Sequence, residues 1–365
     1  MAERYEYAVI GAGMAGTSLA AELGSDSRVL VLEAEDRPGY HATGRSAAFW
    51  EECYGGPDIV PLTLASGPYL RSHGFLSPIG ALYIGRDRDA GLLDDFMQRF
   101  AGTGATIERL DAAEVAARVP GLKPQWTGGV WEPVCADIDV AGLHAHYLGM
   151  MRKSGAKLVM RAQLAEARHS ADGWLLKTTA GAEFLAGTLI NAAGAWADGV
   201  AEIAGVLPLG IAPLRRTVAQ LRVDPPPPKD LPLVLDISGK FYFRGESGRL
   251  WLSPHDEHPS PPCDAAPDEM DVATAIERLE QVTDWRVEHV EHKWAGLRSF
   301  APDRLPVYGF DARQPDFFWF AGQGGYGIQT APAAARLGAQ IIRNLPQDAM
   351  TSGLDPTKYS PARFC

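Results

Sequence analysis

The hydrophobic pattern is strongest at the start of the chain, where short apolar runs alternate with small residues. The apolar run at 7–10 predicts a buried β-strand, and the run at 29–32 predicts a second one. Between them, a glycine-rich turn leads into small residues at 17–23 that predict a helix. The opening stretch is therefore predicted to fold as strand, tight turn, helix and strand.

The rest of the chain alternates between helical and strand-like patterns. Apolar residues at helical spacing predict helices at 61–72, 92–101, 112–118, 140–154 and 271–282. Alternating or continuous apolar runs predict strands at 77–87, 157–160, 188–191, 215–223, 233–236, 241–243 and 250–253, with a meander over 164–186 and a strand, glycine loop and long helix over 317–346. These patterns predict an α/β and α+β fold, in which a Rossmann-like unit is interleaved with a domain built on an antiparallel sheet.

Length and charge narrow the class of protein. A chain of 365 residues exceeds the ~100–200 residues of a typical domain, so two hydrophobic cores are expected. The formal net charge of −11 and the lack of a basic block argue against nucleic acid as a partner. No apolar run approaches the ~20 residues of a membrane span, and no secretory leader precedes the first strand. A cytoplasmic protein without a transmembrane segment is therefore expected.

The four cysteines, Cys53, Cys135, Cys263 and Cys365, are widely separated. Because no C-x-x-C pair occurs, neither a zinc site nor a disulfide framework is predicted, and no bound metal is expected. The cysteines are interpreted as buried or incidental thiols, which fits a reducing compartment.

The glycine turn carries the residues of a nucleotide-binding site. In such a unit Gly11 makes the turn, Gly13 lets backbone N–H groups reach a pyrophosphate, and Gly16 allows close packing of helix on sheet. The second strand ends in Glu33, where a carboxylate can accept hydrogen bonds from ribose hydroxyls. A glycine-rich turn without a ligand is the alternative, and the framing by strand, helix and acid argues against it.

Two further loops predict a ligand longer than a nicotinamide dinucleotide. Residues 191–198 and 322–330 are rich in small residues and follow predicted strands. The glycines of the second loop would let N–H groups at the start of the last helix face a ligand atom that becomes negative, as flavin N1 and its C2 carbonyl do on reduction. A plain N-cap at Thr330 is the alternative. Together with residues 43–46, the loops favour FAD.

Several segments occur in a characteristic order, namely GAGMAG, Glu33, GYHATGRSAA, NAAGAW, WAGLRSF and AGQGGYGIQT. In this order they resemble the D-amino acid oxidase family of flavoproteins, and most closely its D-arginine dehydrogenase type of bacterial D-amino acid dehydrogenase. The resemblance covers nearly the whole chain. It implies a discontinuous FAD-binding domain at 1–75, 139–205 and 299–365, and a substrate-binding domain at 76–138 and 206–298.

The resemblance also implies which residues bind FAD. They are Gly11, Gly13, Met14, Ala15, Gly16, Glu33, Ala34, His41, Thr43, Gly44, Arg45, Ser46, Ala47, Leu164, Ala193, Gly194, Trp196, Gly296, Gly324, Gly325, Tyr326, Gly327, Ile328 and Gln329. In some relatives that act on N-methylated glycines, a histidine near His41 carries the flavin covalently, whereas closer relatives bind FAD without a bond. Noncovalent FAD is therefore expected, with His41 as the residue to check, and Cys53 is not favoured as an attachment point.

Four residues are implied around the substrate. Arg298, in the loop after Trp294, and Arg216 would hold the substrate carboxylate, a task that suits the guanidinium group. Tyr242 and Tyr54 would face the substrate, one near the carboxylate and one on an entrance loop. The alternatives are a solvated surface charge for Arg216 and a core position for each tyrosine. Hydride transfer needs no acid–base residue beyond loss of one ammonium proton, so positioning roles are expected.

The implied function is oxidation of a D-amino acid to an imino acid, which then yields a 2-oxo acid and ammonia, by hydride transfer from Cα to flavin N5. Oxidation of an N-alkyl glycine or a 2-hydroxy acid in the same fold is the first alternative. A flavin-binding subunit without turnover is the second. No motif indicates the electron acceptor, whether a quinone, an electron carrier or oxygen.

The substrate side chain is the last point on which the sequence bears. In D-arginine-preferring members a glutamate after the LSP turn faces the guanidinium, and Ala81 aligns with it here. Because a buried unpaired guanidinium is costly, a preference for neutral, largely hydrophobic D-amino acids is expected. Glu51 or Glu52 is the alternative anchor for a basic side chain, although the adjacent Phe49 and Trp50 fit an apolar pocket.

Overall fold

The computed structural model describes residues 3–24, 26–47 and 49–364. In chain order its α-helices are α1 (Met14–Leu23), α2 (Val60–Ser72), α3 (Ala90–Phe100), α4 (Ala112–Arg118), α5 (Val140–Lys153), α6 (Ala197–Ile203), α7 (Glu269–Val282) and α8 (Ala331–Ile342). Short 3₁₀ turns cover Thr43–Arg45, Asp87–Asp89, Gly194–Trp196, Pro356–Tyr359 and Pro361–Phe364.

The strands, again in chain order, are β1 (Glu3–Ile10), β2 (Val29–Leu32), β3 (Phe49–Trp50), β4 (Leu76–Pro78), β5 (Ala81–Arg86), β6 (Glu108–Leu110), β7 (Trp126–Glu132), β8 (Ala136–Ile138), β9 (Lys157–Val159), β10 (Leu164–Ser170), β11 (Gly173–Thr178), β12 (Glu183–Asn191), β13 (Ala212–Asp224), β14 (Leu233–Asp236), β15 (Tyr242–Glu246), β16 (Arg249–Ser253), β17 (His258–Pro259), β18 (Arg286–Phe300), β19 (Val307–Phe310), β20 (Phe317–Ala321) and β21 (Gln323–Gly324).

The first large sheet contains the strand, turn and helix at the start of the chain. Its parallel strands run in the order β20-β12-β1-β2-β9. The β10–β11 hairpin and β19 add antiparallel pairs to β12 and β20. Parallel strands joined through helices that cover the sheet are the arrangement of a Rossmann-like unit.

Side chains of β1 alternate between the two faces of this sheet. Val9 packs into the core that contains α1, α5 and α8, whereas Ala8 and Ile10 pack on the opposite face with Trp174 and α6. Because both faces are covered, strands here read as continuous apolar runs. The continuous apolar run at 29–32 therefore predicted β2 at its observed residues.

The second large sheet runs in the order β21-β18-β13-β16-β15-β14-β5-β7-β6, with β17 beside β13. Among the described strands, β14 and β5 form its parallel pair and the other pairs are antiparallel. The longest ladder joins β13 to β18 and contains two irregularities in register. One face of the sheet packs against α4 and α7.

A small antiparallel sheet, β3-β8-β4, lies where the chain passes between the large sheets. The first large sheet takes its strands from 3–32, 157–191 and 307–321, and the second from 81–132, 212–300 and 323–324. The division of the chain into an FAD-binding and a substrate-binding domain stays a proposal.

Two sequence predictions about the second sheet were wrong. The ladder of β18 with β13 continues to Phe300, so Arg298 is on a strand and not in a loop after Trp294. The single strand predicted at 77–87 is two strands, β4 and β5. Gly80, with φ +72°, makes the turn that separates them.

The last helix also differs from its prediction. It begins at Ala331, so the glycines at 324–327 precede it and do not form its first turn. Thr330 is the N-cap residue, but its hydroxyl donates to the carbonyl of Tyr326 (2.8 Å) and does not cap the helix.

The described cysteines are free thiols, of which Cys53 and Cys135 are buried and Cys263 is half-buried. Cys365 lies outside the described residues. Within the described ranges, no helix combines the length and the apolarity that a bilayer crossing requires.

Candidate active site

The glycine turn packs α1 directly onto the end of β1. Gly11 has φ +102°, and a Cβ there would lie 2.7 Å from the carbonyl oxygen of Ala192, so a side chain is excluded. A Cβ on Gly16 would overlap the carbonyl oxygen of Gly11. Gly13 is the N-cap residue of α1, and the first turn of the helix carries no acidic residue. The N-terminal end of α1 is therefore suited to an anion.

Glu33 lies beside this turn and is buried. Its Oε2 accepts from the N–H of Ala12 (2.7 Å) and its Oε1 from the N–H of Glu35 (2.9 Å). A carboxylate has about four lone-pair positions, so about two are left for ligand hydroxyls. The N–H of Met14 donates to Thr43 Oγ1 (2.9 Å), which ties α1 to the turn after β2.

A cavity of about 710 Å³ runs from this turn to the β13–β18 face of the second sheet. Its volume is in the upper part of the ~300–1,000 Å³ range of ligand pockets. Most predicted site residues line it, namely Gly11, Gly13, Met14, Ala15, Glu33, Ala34, His41, Thr43, Arg45, Ser46, Ala47, Leu164, Ala193, Gly194, Trp196, Gly296, Gly324, Gly325, Gly327, Ile328, Arg216, Arg298, Tyr242 and Tyr54.

Gly16, Gly44, Tyr326 and Gln329 were predicted to bind the cofactor but lie behind the cavity wall. The two glycines are packing positions, since a Cβ on Gly44 would lie 2.7 Å from the carbonyl oxygen of Gly39. These four residues support the wall and do not form it.

The two larger residues are held by buried hydrogen bonds. Tyr326 donates its hydroxyl to the carbonyl of Arg304. Gln329 donates its amide to the carbonyl of Glu51 (3.1 Å) and to Thr63 Oγ1 (2.8 Å). These side chains fix the loops that carry the lining residues.

Arg216 on β13 and Arg298 on β18 project from the same face of the second sheet. Arg216 is opposite Gly296 and Arg298 is opposite Leu214, so the arginines are diagonal neighbours across the ladder. Arg298 donates through Nη2 to Glu257 (2.6 Å), whereas its Nε and Nη1 have no acceptor among the described residues. The pair, hereafter the arginine clamp, therefore retains donors for a ligand.

Arg216 is held in a similar way. Its Nε donates to the carbonyl of Asp256 (2.8 Å), and its Nη2 forms no hydrogen bond within the described ranges but lies 3.6 Å from Glu257 Oε1, an ion-pair distance. Burial, followed by the charge of Arg298, lowers the pKa of Arg216. Burial alone would raise the pKa of Glu257, but a hydrogen bond from Arg304 and the surrounding arginine charges lower it overall. A carboxylate is the ligand group that this clamp suits.

Tyr242 and Tyr54 complete this end of the cavity. Tyr242 on β15 is buried, which raises the pKa of its phenol, and the guanidinium carbon of Arg216 lies 6.0 Å from its ring centroid. Tyr54 is half-buried in the turn after β3. A Cβ on Gly325 would overlap the Tyr54 hydroxyl and lie 2.8 Å from Arg298 Nε. Glycine at this position lets the loop before α8 approach both side chains.

His41 and Arg45 line the cavity but are already engaged. His41 Nε2 lies 2.9 Å from Glu35 Oε1, and its ring centroid lies 4.6 Å from that of Trp196. The His41 Nδ1 atom is buried and has no partner among the described residues. Arg45 forms an ion pair with Asp264, which neutralises its charge.

Position 81 is alanine where D-arginine-preferring members have a glutamate, but the neighbouring strand carries an acid, Glu132. Ala81 is fully buried and does not line the cavity, and Glu132 is its partner across the β5–β7 ladder. Glu51 does line the cavity, and the hydroxyl of Tyr83 donates to its Oε1. Glu52 points its carboxylate elsewhere and does not line the cavity.

One group of described residues has the spacing of metal ligands outside this cavity. Asp256, His258 and Asp271 bring ligand atoms within 4.8 Å of one another. Arg215 forms ion pairs there, with Asp271 at 2.8 Å and with Asp256 at 4.0 Å. The acids are balanced by an arginine, and the absence of a metal stays a prediction.

Comparison with known families decides the identity of the fold. The model of the family described as "FAD dependent oxidoreductase" (DAO) matches residues 6–341. The chain belongs to this family. FAD is accordingly the cofactor of this flavoprotein.

Several known proteins and solved structures are similar to this flavoprotein. L-2-hydroxyglutarate dehydrogenase of Escherichia coli (strain K12) is 24% identical over 216 residues, which are 56% of this chain and 51% of that protein, so the match spans about half the relative's length. Glycine oxidase from Geobacillus kaustophilus superimposes with a TM-score of 0.83 at 23% identity, covering 99% of both chains. L-proline dehydrogenase from P. horikoshii gives 0.85 at 21% identity, covering 100% of this chain and 98% of that one. The predicted fold class is confirmed.

The lining residues of this flavoprotein fit FAD. The end of α1 offers N–H groups to a diphosphate, and a Cβ on Gly13 would lie 3.2 Å from Thr43 Oγ1, so only a small residue keeps that approach open. Glu33 retains free lone pairs for ribose hydroxyls. The same cavity then reaches the glycine loop before α8 and the arginine clamp, where the reacting part of the cofactor and a carboxylate substrate would meet.

Sequence reasoning missed part of the wall of this flavoprotein. The missed residues include Tyr40, Gln163, Leu233, Leu235, His255, Ser299 and Gln323. Leu233 and Leu235 are two residues apart on β14 and therefore face the same side of the sheet. The strand predicted at 233–236 already implied this shared face. Burial, then the charges of Arg216 and Arg298, lower the pKa of His255 to about 3, so it is neutral near pH 7. The consecutive titratable residues at 255–257 were the available signal for this residue.

Proposed function

We propose that this flavoprotein oxidises D-amino acids to imino acids, as a dehydrogenase or oxidase of the D-arginine dehydrogenase type. The observation that carries the proposal is the arginine clamp, in which Arg216 and Arg298 keep unpaired donors at one end of the FAD cavity. A guanidinium fork matches the two oxygens of a carboxylate. An α-carboxylic acid held in the cofactor cavity is the substrate class that this arrangement supports best.

The residues of the chain serve to bind and orient this substrate. The clamp fixes the carboxylate, and the buried ring of Tyr242 limits water beside it. FAD, when bound, supplies the acceptor for the hydride that leaves Cα. The substrate ammonium gives one proton to solvent, the imino acid is hydrolysed by water, and neutral His255 adds no charge to the site. No described side chain is assigned an acid–base role.

Oxidation of an N-alkyl glycine or a 2-hydroxy acid is the second candidate. The support for it is that relatives include a glycine oxidase and L-2-hydroxyglutarate dehydrogenases, named for substrates that also carry an α-carboxylate. The intact clamp argues against a subunit without turnover, because such a subunit would have no use for desolvated arginines.

The test is an anaerobic screen of the purified holoenzyme in which flavin absorbance reports reduction. The substrates are D- and L-methionine, D- and L-phenylalanine, glycine, sarcosine, L-proline, both lactates and L-2-hydroxyglutarate. We expect bleaching by the D-amino acids and not by their L-enantiomers. Bleaching by sarcosine, lactate or hydroxyglutarate alone would replace the proposal by the second candidate, and no bleaching by any of them would contradict both.

We further propose that FAD is held noncovalently and that the protein is cytoplasmic. The first is supported by His41, whose Nε2 is engaged by Glu35 and whose Nδ1 is enclosed. The second is supported by the free thiols of the described cysteines, which suit a reducing compartment.

A further inference from the structure

The cavity wall contains a carboxyl group that the proposed chemistry does not use. Glu51 follows β3 and is only 2% exposed. The hydroxyl of Tyr83 donates to its Oε1. Its Oε2 has no hydrogen-bond partner among the described residues, and it is not among the atoms that the protein encloses completely. Because Glu51 lines the cavity, Oε2 is the atom available to a ligand.

Hydrogen bonds to the backbone keep Glu51 in this position. Its N–H donates to Gln329 Oε1 (3.3 Å), and its carbonyl accepts from Gln329 Nε2 (3.1 Å). Gln329 is itself buried and donates to Thr63 Oγ1 (2.8 Å). The N–H and the carbonyl of Glu51 are therefore both held by Gln329, in the segment before α8.

A second buried carboxyl faces Glu51. Glu132 on β7 accepts from the backbone N–H groups of Glu52 (2.6 Å) and Cys53 (3.2 Å), which favour a charge on Glu132. Burial, and then repulsion by Glu132, raise the pKa of Glu51 well above its ordinary value. No lysine, arginine or histidine of the described ranges forms an ion pair with either carboxyl.

The other titratable groups near Glu51 do not neutralise it. They are the Tyr83 phenol, the Cys53 and Cys135 thiols, the Glu52 carboxylate and the Arg244 guanidinium. Burial, followed by the nearby carboxylates, raises the pKa of both thiols, so they are uncharged. Glu52 accepts from a backbone N–H on a separate loop, and Arg244 is paired with Asp137 and Glu246.

We propose that Glu51 selects the substrate side chain, so that its protonated form admits neutral side chains and its ionised form binds cationic ones. The inference rests on the proposed function, because the arginine clamp holds the other end of the same molecule. Among the described residues, the cavity wall around Glu51 has no cationic side chain that pairs with its carboxylate. A desolvated carboxylate pairs strongly with a cation, so a cationic group of the ligand can take that place. The nearby wall residues Phe49, Leu233 and Leu235 are apolar and bury a neutral side chain when Glu51 carries no charge.

The first experiment compares kcat/KM for D-arginine and D-methionine in the holoenzyme between about pH 6 and about pH 9. Both substrates share the α-amine and the carboxylate, so their ratio isolates the side chain. In wild type the D-arginine to D-methionine ratio should rise with pH by about tenfold to a hundredfold, the equivalent of one charge-assisted hydrogen bond. In Glu51→Gln the ratio should stay at the low-pH value throughout. A flat wild-type ratio, or an unchanged rise in Glu51→Gln, overturns the proposal.

Two further variants separate selection from a structural effect. Glu52→Gln removes a neighbouring carboxylate that does not line the cavity, so it should keep the wild-type rise. Glu132→Gln removes the repelling charge, so the pH at which the ratio rises should move downward. A rise lost equally in Glu51→Gln and Glu52→Gln would show a general defect of the loop and would contradict selection by Glu51.

A binding experiment keeps the inference testable even when no D-amino acid reduces the flavin. The probes are 5-guanidinopentanoate and 7-methyloctanoate, which match in shape, differ in charge and cannot be oxidised at an amine. Their dissociation constants are read from the flavin spectrum of the holoenzyme. At about pH 9, Glu51→Gln should weaken the guanidino probe by about tenfold or more and leave the alkyl probe unchanged. Equal weakening of both probes, or of neither, overturns the role of Glu51.

Discussion

At the scale of the residue, the arginine clamp depends on orientation as much as on charge. Glu257 engages Nη2 of Arg298 and also pairs with Arg304, which lies outside the cavity. The remaining donors of Arg298 are thereby held in one direction. Because the guanidinium is planar, fixing one nitrogen fixes the plane in which a carboxylate must bind.

Arg298→Ala should therefore lower kcat/KM for every D-amino acid that reduces the flavin. The expected cost is about 2–5 kcal/mol for a desolvated charged pair, or roughly 30- to 4,000-fold. Steady-state kinetics measure it, and the far-UV circular dichroism should not change. The matched control is Arg304→Ala, which removes a half-exposed partner of the same Glu257 and should stay within about fivefold of wild type. Near-normal kinetics of Arg298→Ala would exclude the clamp.

Glu33 acts at the other end of the cavity. Glu33→Ala removes an acceptor for ribose hydroxyls and should weaken FAD binding by about 1–3 kcal/mol, or roughly 5- to 150-fold in Kd. Reconstitution of the deflavinated protein with FAD, followed by fluorescence, gives the constant. The backbone N–H groups of Ala12 and Glu35 also lose an acceptor. The unfolding midpoint of each deflavinated protein separates that loss from the loss of ligand contacts, and an unchanged Kd would contradict the nucleotide-site assignment.

At the scale of the element, the turn after β3 carries an electrostatic cost. Its backbone N–H groups point at buried Glu132, whose pKa is raised to about 7 by burial despite those hydrogen bonds. Glu132 is the last residue of β7 and Glu51 directly follows β3, and the turn brings them together. The turn is therefore most stable when at least one of the two buried carboxyls is protonated.

This arrangement predicts a pH dependence of stability with a definite sign. A carboxyl whose pKa is higher in the folded state favours folding below its unfolded pKa, and that contribution is lost as the pH rises through the folded pKa. The contribution of Glu132 to the free energy of unfolding should thus fall by about 3 kcal/mol between about pH 4.5 and about pH 8. Urea unfolding at a series of pH values measures it.

Glu132→Gln should make that profile shallower, because the contribution of Glu132 is gone while buried Glu51 still titrates. The control is Glu277→Gln, which changes an exposed residue of α7 and should leave the slope as in wild type. Equal slopes in wild type and Glu132→Gln would show that the raised pKa does not affect folding.

The same scale shows what the sequence could predict. The sequence located β2, β14 and α4 at or near their observed ends. These elements are buried on one or two faces, and burial gives their sequences a recognisable pattern of apolar residues. Helix α6 and strand β19 were missed, since they are short and lack such a period. Arg298 was assigned to a loop because nothing local reveals that β18 continues alongside β13.

Site residues divide along a similar line. Arg298, Tyr242 and Glu33 lie in motifs, so the sequence could propose them as site residues, whereas Glu257 and Glu132 contact partners far away in the chain and could not be proposed from it. Ala81 illustrates the difference, because the sequence showed that an acid was absent there. Only the pairing of β5 with β7 shows that Glu132 lies opposite it.

At the scale of the whole molecule, one cavity joins the nucleotide turn of the first sheet to the clamp of the second. Purified protein should be yellow and should release FAD into the supernatant on acid or heat denaturation, since His41 is engaged by Glu35 and Trp196. Absorbance of the supernatant and of the washed precipitate measures the division. Colour that stays entirely with the precipitate would indicate a covalent bond, and His41→Ala would then be the variant to examine.

The interleaving of the two sheets has a consequence for how such a protein acquires new substrates. Neither sheet is formed by a continuous stretch of chain. The small β3-β8-β4 sheet pairs strands from two of the segments that connect the large sheets. The second large sheet therefore cannot be exchanged as one unit by a single recombination event, because any crossover would leave strands of one sheet without partners. Diversification must instead proceed by point changes within the standing framework.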